Sequence, residues 1–333
     1  MATLGSECFE GKGEDAPLPG GGYAQPMINN VMNRGEWGLL LGLALIWGSA
    51  FIFIKEAVTH VEPLTYVWLR LAMAALGLWL FLWWRGDRLS LPVKVWGAIL
   101  LLALLNNVIP FALFGWGQRH IATGLAAILN ATTPIWGVLA AHLFTADERI
   151  TPGKLLGVVI GFIGVATMIG PDLIGSSANL LAQLACLLAA LCYALAGVWA
   201  RRFRRLEVPP MKVAAAQLIA GAAFLLPVVL MVDRPWLAPM PPLEAWGSIA
   251  ILALLGSAYA YVLYFRLIDS AGATNAFLVT LLVPPVAILL GAVLLGERLG
   301  SAQLMGLGFI ALGLAVIDGR LVGRLRLKPV ENF

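Results

Sequence analysis

The sequence predicts an all-α integral membrane protein of ten transmembrane helices, arranged as two inverted five-helix repeats. Three observations lead there. The 333 residues are 60% hydrophobic and only 12% charged, against about 25% charged in a soluble domain, so the chain has too little polar surface to face water and is solvated by lipid. Apolar runs long enough to cross ~30 Å of hydrocarbon recur ten times along it. Finally, "DERITPGKLLG" at 147–157 returns as "GERLGSAQLMG" at 296–306, which sets Glu148 against Glu297, Gly157 against Gly306 and Gly164 against Gly313.

Taken in order, residues 1–33 are rich in Gly, Pro and acids, show no periodicity and read as a disordered tail. They lack the basic start and apolar centre of a signal peptide. Span 1 lies near 36–55 and carries Trp47 and Ser49 at mid-depth. Trp is normally interfacial, so a deep one either packs or walls an apolar solute. Span 2 (64–84) holds Arg70, the one cation well inside a span; it snorkels outward, ties helices together or holds a solute carboxylate. Span 3 (95–114) places Asn106 and Asn107 near its middle, as interhelical glue or as cavity lining. In span 4 (122–144), Asn130, Thr132 and Thr133 precede Pro134, whose ring removes a backbone hydrogen bond.

Span 5 (154–170) follows Glu148, a carboxylate suited to capping a helix N-terminus. Span 6 (178–200) brings Tyr193; its Cys186 and Cys192 read as small packing residues, since with Cys8 they form no disulfide framework. Span 7 occupies 212–232. Span 8 (245–266) sets Ser257, Tyr261 and Tyr264 on one face at i, i+4 and i+7, with Tyr259 pointing elsewhere. Span 9 (273–295) carries Thr280 just before Pro284 and Pro285. These two prolines and Pro134 are expected to kink or gate their helices. Span 10 (301–319) follows Glu297, the second expected cap, and residues 320–333 form a basic tail.

Ten spans leave both termini on one side. With that side inside, sixteen Lys and Arg fall on the cytoplasmic face and only Lys55, Arg119, Arg234 and Arg298 on the other. The positive-inside rule therefore predicts cytoplasmic termini. The cluster "RRFRRLEVPPMK" at 201–212 is part of this topology signal and calls for no nucleic acid.

The repeat extends over 34–170 and 177–319. "ATGLAAILNATTP" (122–134) aligns with "ATNAFLVTLLVPP" (273–285), and "EPLTYVWLR" ending at Arg70 stands where "PPMKVAAAQ" ends at Gln217. Because five is odd, the second copy enters the bilayer from the opposite side, which puts Glu148 and Glu297 at opposite surfaces. Secondary transporters use such inverted repeats, with the solute site near the midplane between them.

Through "WGSAF" in span 1, "PLTYVWLRLAMAAL" in span 2, "TGLAA" through Pro134 in span 4 and the Glu-Arg…Leu-x-Gly pattern in both copies, the chain resembles the drug/metabolite transporter superfamily. Within it the likeness is to EamA-like ten-helix exporters of the YddG type, over residues 36–319. The resemblance implies a basket-like bundle whose central cavity is lined by spans 1, 3, 4, 6, 8 and 9.

All eighteen acidic residues fall in tails, in loops or at span ends, which argues against a proton relay built on a mid-membrane carboxylate. His60, His120 and His142 have no metal-ligand partner at helical spacing, and neither metal nor cofactor is expected. Trp47, Ser49, Asn106, Asn107, Asn130, Thr133, Tyr193, Ser257, Tyr261, Tyr264 and Thr280 are the residues expected to line the cavity, which is expected to be weakly polar and uncharged and so to suit zwitterions and neutral solutes. The expectation is therefore a secondary transporter that exports small amphipathic metabolites, amino acids foremost, across the plasma membrane (a bacterial inner membrane) by alternating access. Its partners are a small-molecule solute and the lipid bilayer, and a monomer is a sufficient unit. An organic-phosphate, nucleotide-sugar or drug carrier is the rival within the superfamily, and phosphate would demand fixed cations. An integral-membrane transferase would need clustered acids or His at the interface, and a pore would need a ring-forming filter.

Overall fold

The computed structural model describes residues 32–145, 150–169, 177–271, 276 and 278–318. Among the described residues there is no strand, because a chain crossing hydrocarbon must satisfy its backbone N–H and C=O groups within its own segment. The helices are α1 (Arg34–His60), α2 (Pro63–Trp84), α3 (Val93–Gly117), α4 (Thr123–Phe144), α5 (Pro152–Ile169), α6 (Ser177–Arg205), α7 (Pro210–Val232), α8 (Leu243–Ala271), α9 (Val279–Leu295) and α10 (Ser301–Asp318). Seven are each long and apolar enough to cross a membrane; the apolar stretches of α5, α9 and α10 are shorter, at Pro152–Thr167, Leu282–Leu295 and Ser301–Ile317. The chain is an integral membrane protein.

Several helices overrun the apolar runs that announce them. α1 continues to His60 and α6 to Arg205. Such polar ends reach the headgroup region, and Arg202, Arg204 and Arg205 in the last turn of α6 complement its C-terminal dipole. At the start of α1, Asn33 and Glu36 form a reciprocal capping box. Leu41, Leu45, Leu181 and Leu289 lie exposed on helix faces turned outward, where lipid takes the place of a protein neighbour.

The helix pairings reveal the symmetry. α2 packs on α7, α4 on α9 and α5 on α10. The remaining main pairings come as mates: α1 with α9 and α6 with α4; α1 with α8 and α6 with α3; α3 with α7 and α8 with α2. Exchanging the first five helices with the second five converts each pairing into itself or into its mate. The bundle is thus two five-helix units related by a pseudo-two-fold axis, and the odd helix count makes the second unit inverted.

The repeated glycines occupy one seam of this symmetry. A Cβ at Gly157 would lie 2.6 Å from the Gly313 carbonyl oxygen, and one at Gly164 would lie 2.7 Å from that of Gly306. The sequence repeat equates Gly157 with Gly306 and Gly164 with Gly313, so the two close approaches are images of each other. Small residues let α5 and α10 approach backbone to backbone, the packing mode that replaces hydrophobic burial in lipid.

A second symmetric feature lies deeper. α3 contains a π-helical turn at Leu104–Val108, and α8 one at Leu254–Tyr259. A π turn widens the helix and releases it from the regular ladder, often at functional positions. These two turns carry Asn106, Asn107, Gly256 and Ser257. α4 is likewise interrupted, helical over Thr123–Asn130 and again over Thr133–Phe144, with Pro134 in the first turn of the second segment. The interruption falls just before Pro134, where a kink or gate is expected. α9 differs: it runs as helix through both Pro284 and Pro285, which supply no N–H to its ladder.

Candidate functional site

The two π turns, the α4 break and the facing side of α1 enclose a cavity of about 280 Å³ between the repeats. That is near the lower limit of small-molecule sites, roughly 300–1,000 Å³. α1 contributes Trp47, Ala50, Phe51 and Ile54; α2, Arg70; α3, Asn106, Phe111 and Phe114; α4, Asn130 and Thr133; α6, Tyr193; α8, Gly256, Ser257, Tyr261 and Tyr264; and α9, Thr280 and Val283.

Two polar corners face each other across the pseudo-symmetry. In one, Asn106 Nδ2 donates to Gln217 Oε1 at 3.1 Å and to the Tyr261 hydroxyl at 3.1 Å. The Tyr261 hydroxyl in turn donates to Asn107 Oδ1 at 3.2 Å. In the other corner, Arg70 Nε donates to Ser257 Oγ at 3.1 Å and Nη1 to the Tyr66 hydroxyl at 2.9 Å. The guanidinium carbon stands 3.8 Å from the centroid of the Phe111 ring, a cation–π contact. Arg70 is only 4% exposed.

Aromatic rings build the walls. Trp47 lies 5.5 Å from Tyr264, Phe51 is edge-on to Phe114 at 5.7 Å, and Phe114 stacks on Tyr193 at 6.2 Å. The Trp47 indole N–H donates to the Gly256 carbonyl at 3.2 Å, a backbone acceptor within the π turn. This bond is what allows an indole to sit so deep. At the α4 break, the Thr133 hydroxyl donates to the Asn130 carbonyl at 2.7 Å, whereas Asn130 Oδ1 meets no donor among the described residues.

Nine of the eleven residues expected to line the cavity lie on it: Trp47, Asn106, Asn130, Thr133, Tyr193, Ser257, Tyr261, Tyr264 and Thr280. Ser49 does not. Its hydroxyl donates back to the Ile46 carbonyl at 3.1 Å, and it lines a separate apolar cavity of about 180 Å³ with Ile46, Phe53, Ile251 and Leu255. The reason is angular: Ser49 follows Trp47 by two residues and so lies about 200° from it around the helix axis. Asn107 is fully buried behind the wall and touches the site only through Tyr261. Tyr259 points away and is 49% exposed. The expectation of an uncharged cavity is corrected by Arg70, which neither snorkels nor reaches the surface; it bridges α2 to α8 and lines the space. α2 thereby joins the six lining helices expected. The tyrosine at i−4 and the pairing of Arg70 with Gln217 are the signals in the sequence that point to it.

Glu297 does cap a helix, but one in the other repeat. Its carboxylate accepts from the backbone N–H of Thr123 at 2.8 Å and of Gly124 at 3.2 Å, at the start of α4. α9 ends at Gly296 in the left-handed conformation (φ 65°), and the chain turns there towards α4 instead of entering α10 directly. Glu148 lies outside the described residues. Asp233 acts similarly, with Oδ2 accepting from the Thr65 N–H at 2.7 Å and hydroxyl at 2.8 Å, at the start of α2. Nearby, Lys55 Nζ donates to the Gln118 carbonyl at 2.5 Å, and Arg119 Nε and Nη2 donate to the Val58 and Val61 carbonyls at 2.9 and 3.0 Å. All of these lie at the end of the bundle holding the α1–α2 and α3–α4 connections, which is stitched across the repeats. No group of three His, Cys, Asp or Glu able to hold a metal occurs among the described residues.

Known proteins share this architecture. The family model described as the EamA-like transporter family matches twice, over residues 36–170 and 180–318. An uncharacterized transporter of Bacillus subtilis (strain 168), YoaV, is 24% identical over 277 residues, covering 83% of this chain and 94% of that protein. An uncharacterized inner membrane transporter of Escherichia coli (strain K12), YedA, is 28% identical over 286 residues, covering 84% and 90%. A protein crystal structure with 20% sequence identity superposes with a TM-score of 0.61 over 88% of this chain and 99% of that one, which is a likeness of fold. Two matches of one family model, each over five helices, a two-fold set of helix pairings and a cavity between the two units agree: the chain belongs to the EamA-like transporter family, within the drug/metabolite transporter superfamily.

Proposed function

We propose that the protein exports small amphipathic metabolites, amino acids foremost, across the plasma membrane by alternating access. The observation that carries this reading is the cavity's position, bounded by helices of both repeats. A site so placed stays fixed while each repeat exchanges its conformation with the other. Its lining suits an amphipathic solute: aromatic rings supply apolar contact, while Tyr261, Asn106, Thr133 and Thr280 offer hydrogen-bonding groups. The stitched end bearing Glu297 is the closed gate in this reading. Opening it requires α4 to leave the Glu297 carboxylate. The inner-membrane name of the Escherichia coli relative supports a plasma-membrane location, and the Lys and Arg distribution supports cytoplasmic termini.

The test is counterflow in proteoliposomes. Purified protein is expected to give saturable uptake of labelled amino acid, phenylalanine or methionine among them, into vesicles preloaded with the unlabelled compound. No saturable flux of any proteinogenic amino acid would defeat the proposal.

A further inference from the structure

We propose that Arg70 is the anion-recognition residue of the cavity and that the transported solute carries a single carboxylate. This rests on the transporter reading above and narrows its substrate class.

Four observations carry it. First, among the described residues Arg70 is the only charged side chain lining the cavity, and no carboxylate of theirs lines it. Its partners are all neutral: a serine hydroxyl, a tyrosine hydroxyl and an aromatic face. A cation withdrawn from water without a counter-charge is unfavourable unless something else supplies the negative charge. Second, a guanidinium has five N–H donors, and the described residues accept from two of them, one on Nε and one on Nη1. Nη2 has no acceptor among the described residues, and the side chain lines the cavity. The Ser257 and Tyr66 bonds and the Phe111 ring fix the guanidinium plane, so the free donors are pre-organised.

Third, the fold does not require a cation here. Gln217 stands at the equivalent position of the second repeat. It is 3% exposed and joins α7 to the α3 π turn through Asn106, just as Arg70 joins α2 to the α8 π turn through Ser257. A neutral amide thus performs the bridging task in one repeat, and the charge in the other is surplus to that task. The neighbouring ring differs to match: Tyr261 serves beside Gln217, whereas Phe111, at the equivalent position on α3, presents a face without a hydroxyl to the guanidinium. Fourth, the charge is single. One partly committed guanidinium suits a carboxylate monoanion, while a phosphate ester dianion calls for further cations, which the described lining residues do not supply.

The experiment measures ligand binding to the purified full chain in detergent with four probes sharing one ring: L-phenylalanine, 3-phenylpropionate, phenylalaninamide and phenyl phosphate. The two carboxylates are expected to bind at least about tenfold more tightly than the amide, and more tightly than phenyl phosphate. Arg70→Gln, which imports the second repeat's own residue, is expected to fold and to erase the preference for carboxylate over amide. Arg70→Lys keeps the charge but loses the planar fork, and is expected to weaken carboxylate binding while retaining the preference. If Arg70→Gln does not fold, Arg70→Lys is decisive, and equal binding of carboxylate and amide to that variant overturns the proposal. Carboxylate affinity unchanged within twofold in Arg70→Gln overturns it too. So does phenyl phosphate as the tightest probe, or no binding by any of the four. Flux is read separately: carboxylate binding that depends on Arg70 without counterflow removes the transporter reading and leaves the anion site standing. Counterflow of phenylalanine indifferent to Arg70→Gln does the reverse.

Discussion

The seam between α5 and α10 makes the sharpest stability prediction. Replacing Gly157 by Ala puts a Cβ 2.6 Å from the Gly313 carbonyl oxygen and 3.0 Å from the Ile317 backbone nitrogen. Ordinary contact begins near 3.4 Å, so the two backbones must separate by about 0.8 Å at that point. A flexible side chain could swing away; a helical carbonyl cannot. Overpacking of this kind costs about 1–3 kcal/mol. Gly164→Ala meets the Gly306 carbonyl at 2.7 Å and should lose a similar amount, because the two sites are symmetry images. Gly308, on the same helix as Gly306, has nothing within 4 Å of an added Cβ. Ala there should cost nothing, or gain up to about 1 kcal/mol from helix propensity. The assay is thermal unfolding of the purified variants in one detergent, with Gly157→Ala and Gly164→Ala expected well below wild type and Gly308→Ala at or above it. Equal midpoints for all three would refute the close-packed seam, and a large loss at only one of the first two would refute its symmetry.

Two further outcomes follow from the hydrogen bonds. Glu297→Ala removes a carboxylate that accepts from two backbone N–H groups at 2.8 and 3.2 Å; charge-assisted bonds contribute about 1.5–3 kcal/mol, so this variant should unfold earlier, and the end of the bundle that Glu297 ties should react faster with thiol reagents at a cysteine placed at Gln118. Glu297→Gln, with one neutral acceptor, should fall between the two. Asn106→Leu leaves Gln217 Oε1 without its donor and takes one partner from the Tyr261 hydroxyl. An unsatisfied buried acceptor costs about 1–3 kcal/mol, and a lowered unfolding midpoint with impaired counterflow is expected.

The membrane class, the ten helices and the inversion were legible because each rests on a one-dimensional signal: apolar run length, charge asymmetry and a duplicated segment. Most lining positions were legible too, since a polar residue deep in an apolar helix is conspicuous and helical periodicity sorts faces, as it did for Ser257, Tyr261, Tyr264 and Tyr259. What was hidden depends on local departures from ideal helix and on contacts between distant segments. Depth puts Ser49 and Asn107 level with the cavity, but their directions turn on the winding of α1 and on a π turn that no propensity announces. Arg70 could be weighed only as a cation in a helix; its orientation comes from Tyr66, Ser257 and Phe111, from three different helices. Glu297 looked like the cap of the helix that follows it, and only the folded arrangement brings it to the start of α4. The repeated glycines could be aligned in sequence, but not that their contacts are crossed.

The most direct test of a solute site that faces each side of the membrane in turn is the reach of one cavity position from both sides. With Cys8, Cys186 and Cys192 replaced and Thr133 changed to cysteine, a membrane-impermeant thiol reagent is applied to right-side-out and to inside-out vesicles. The cavity thiol should react from both sides, and phenylalanine should slow both reactions. Labelling confined to one side, with and without solute, would contradict alternating access through this cavity.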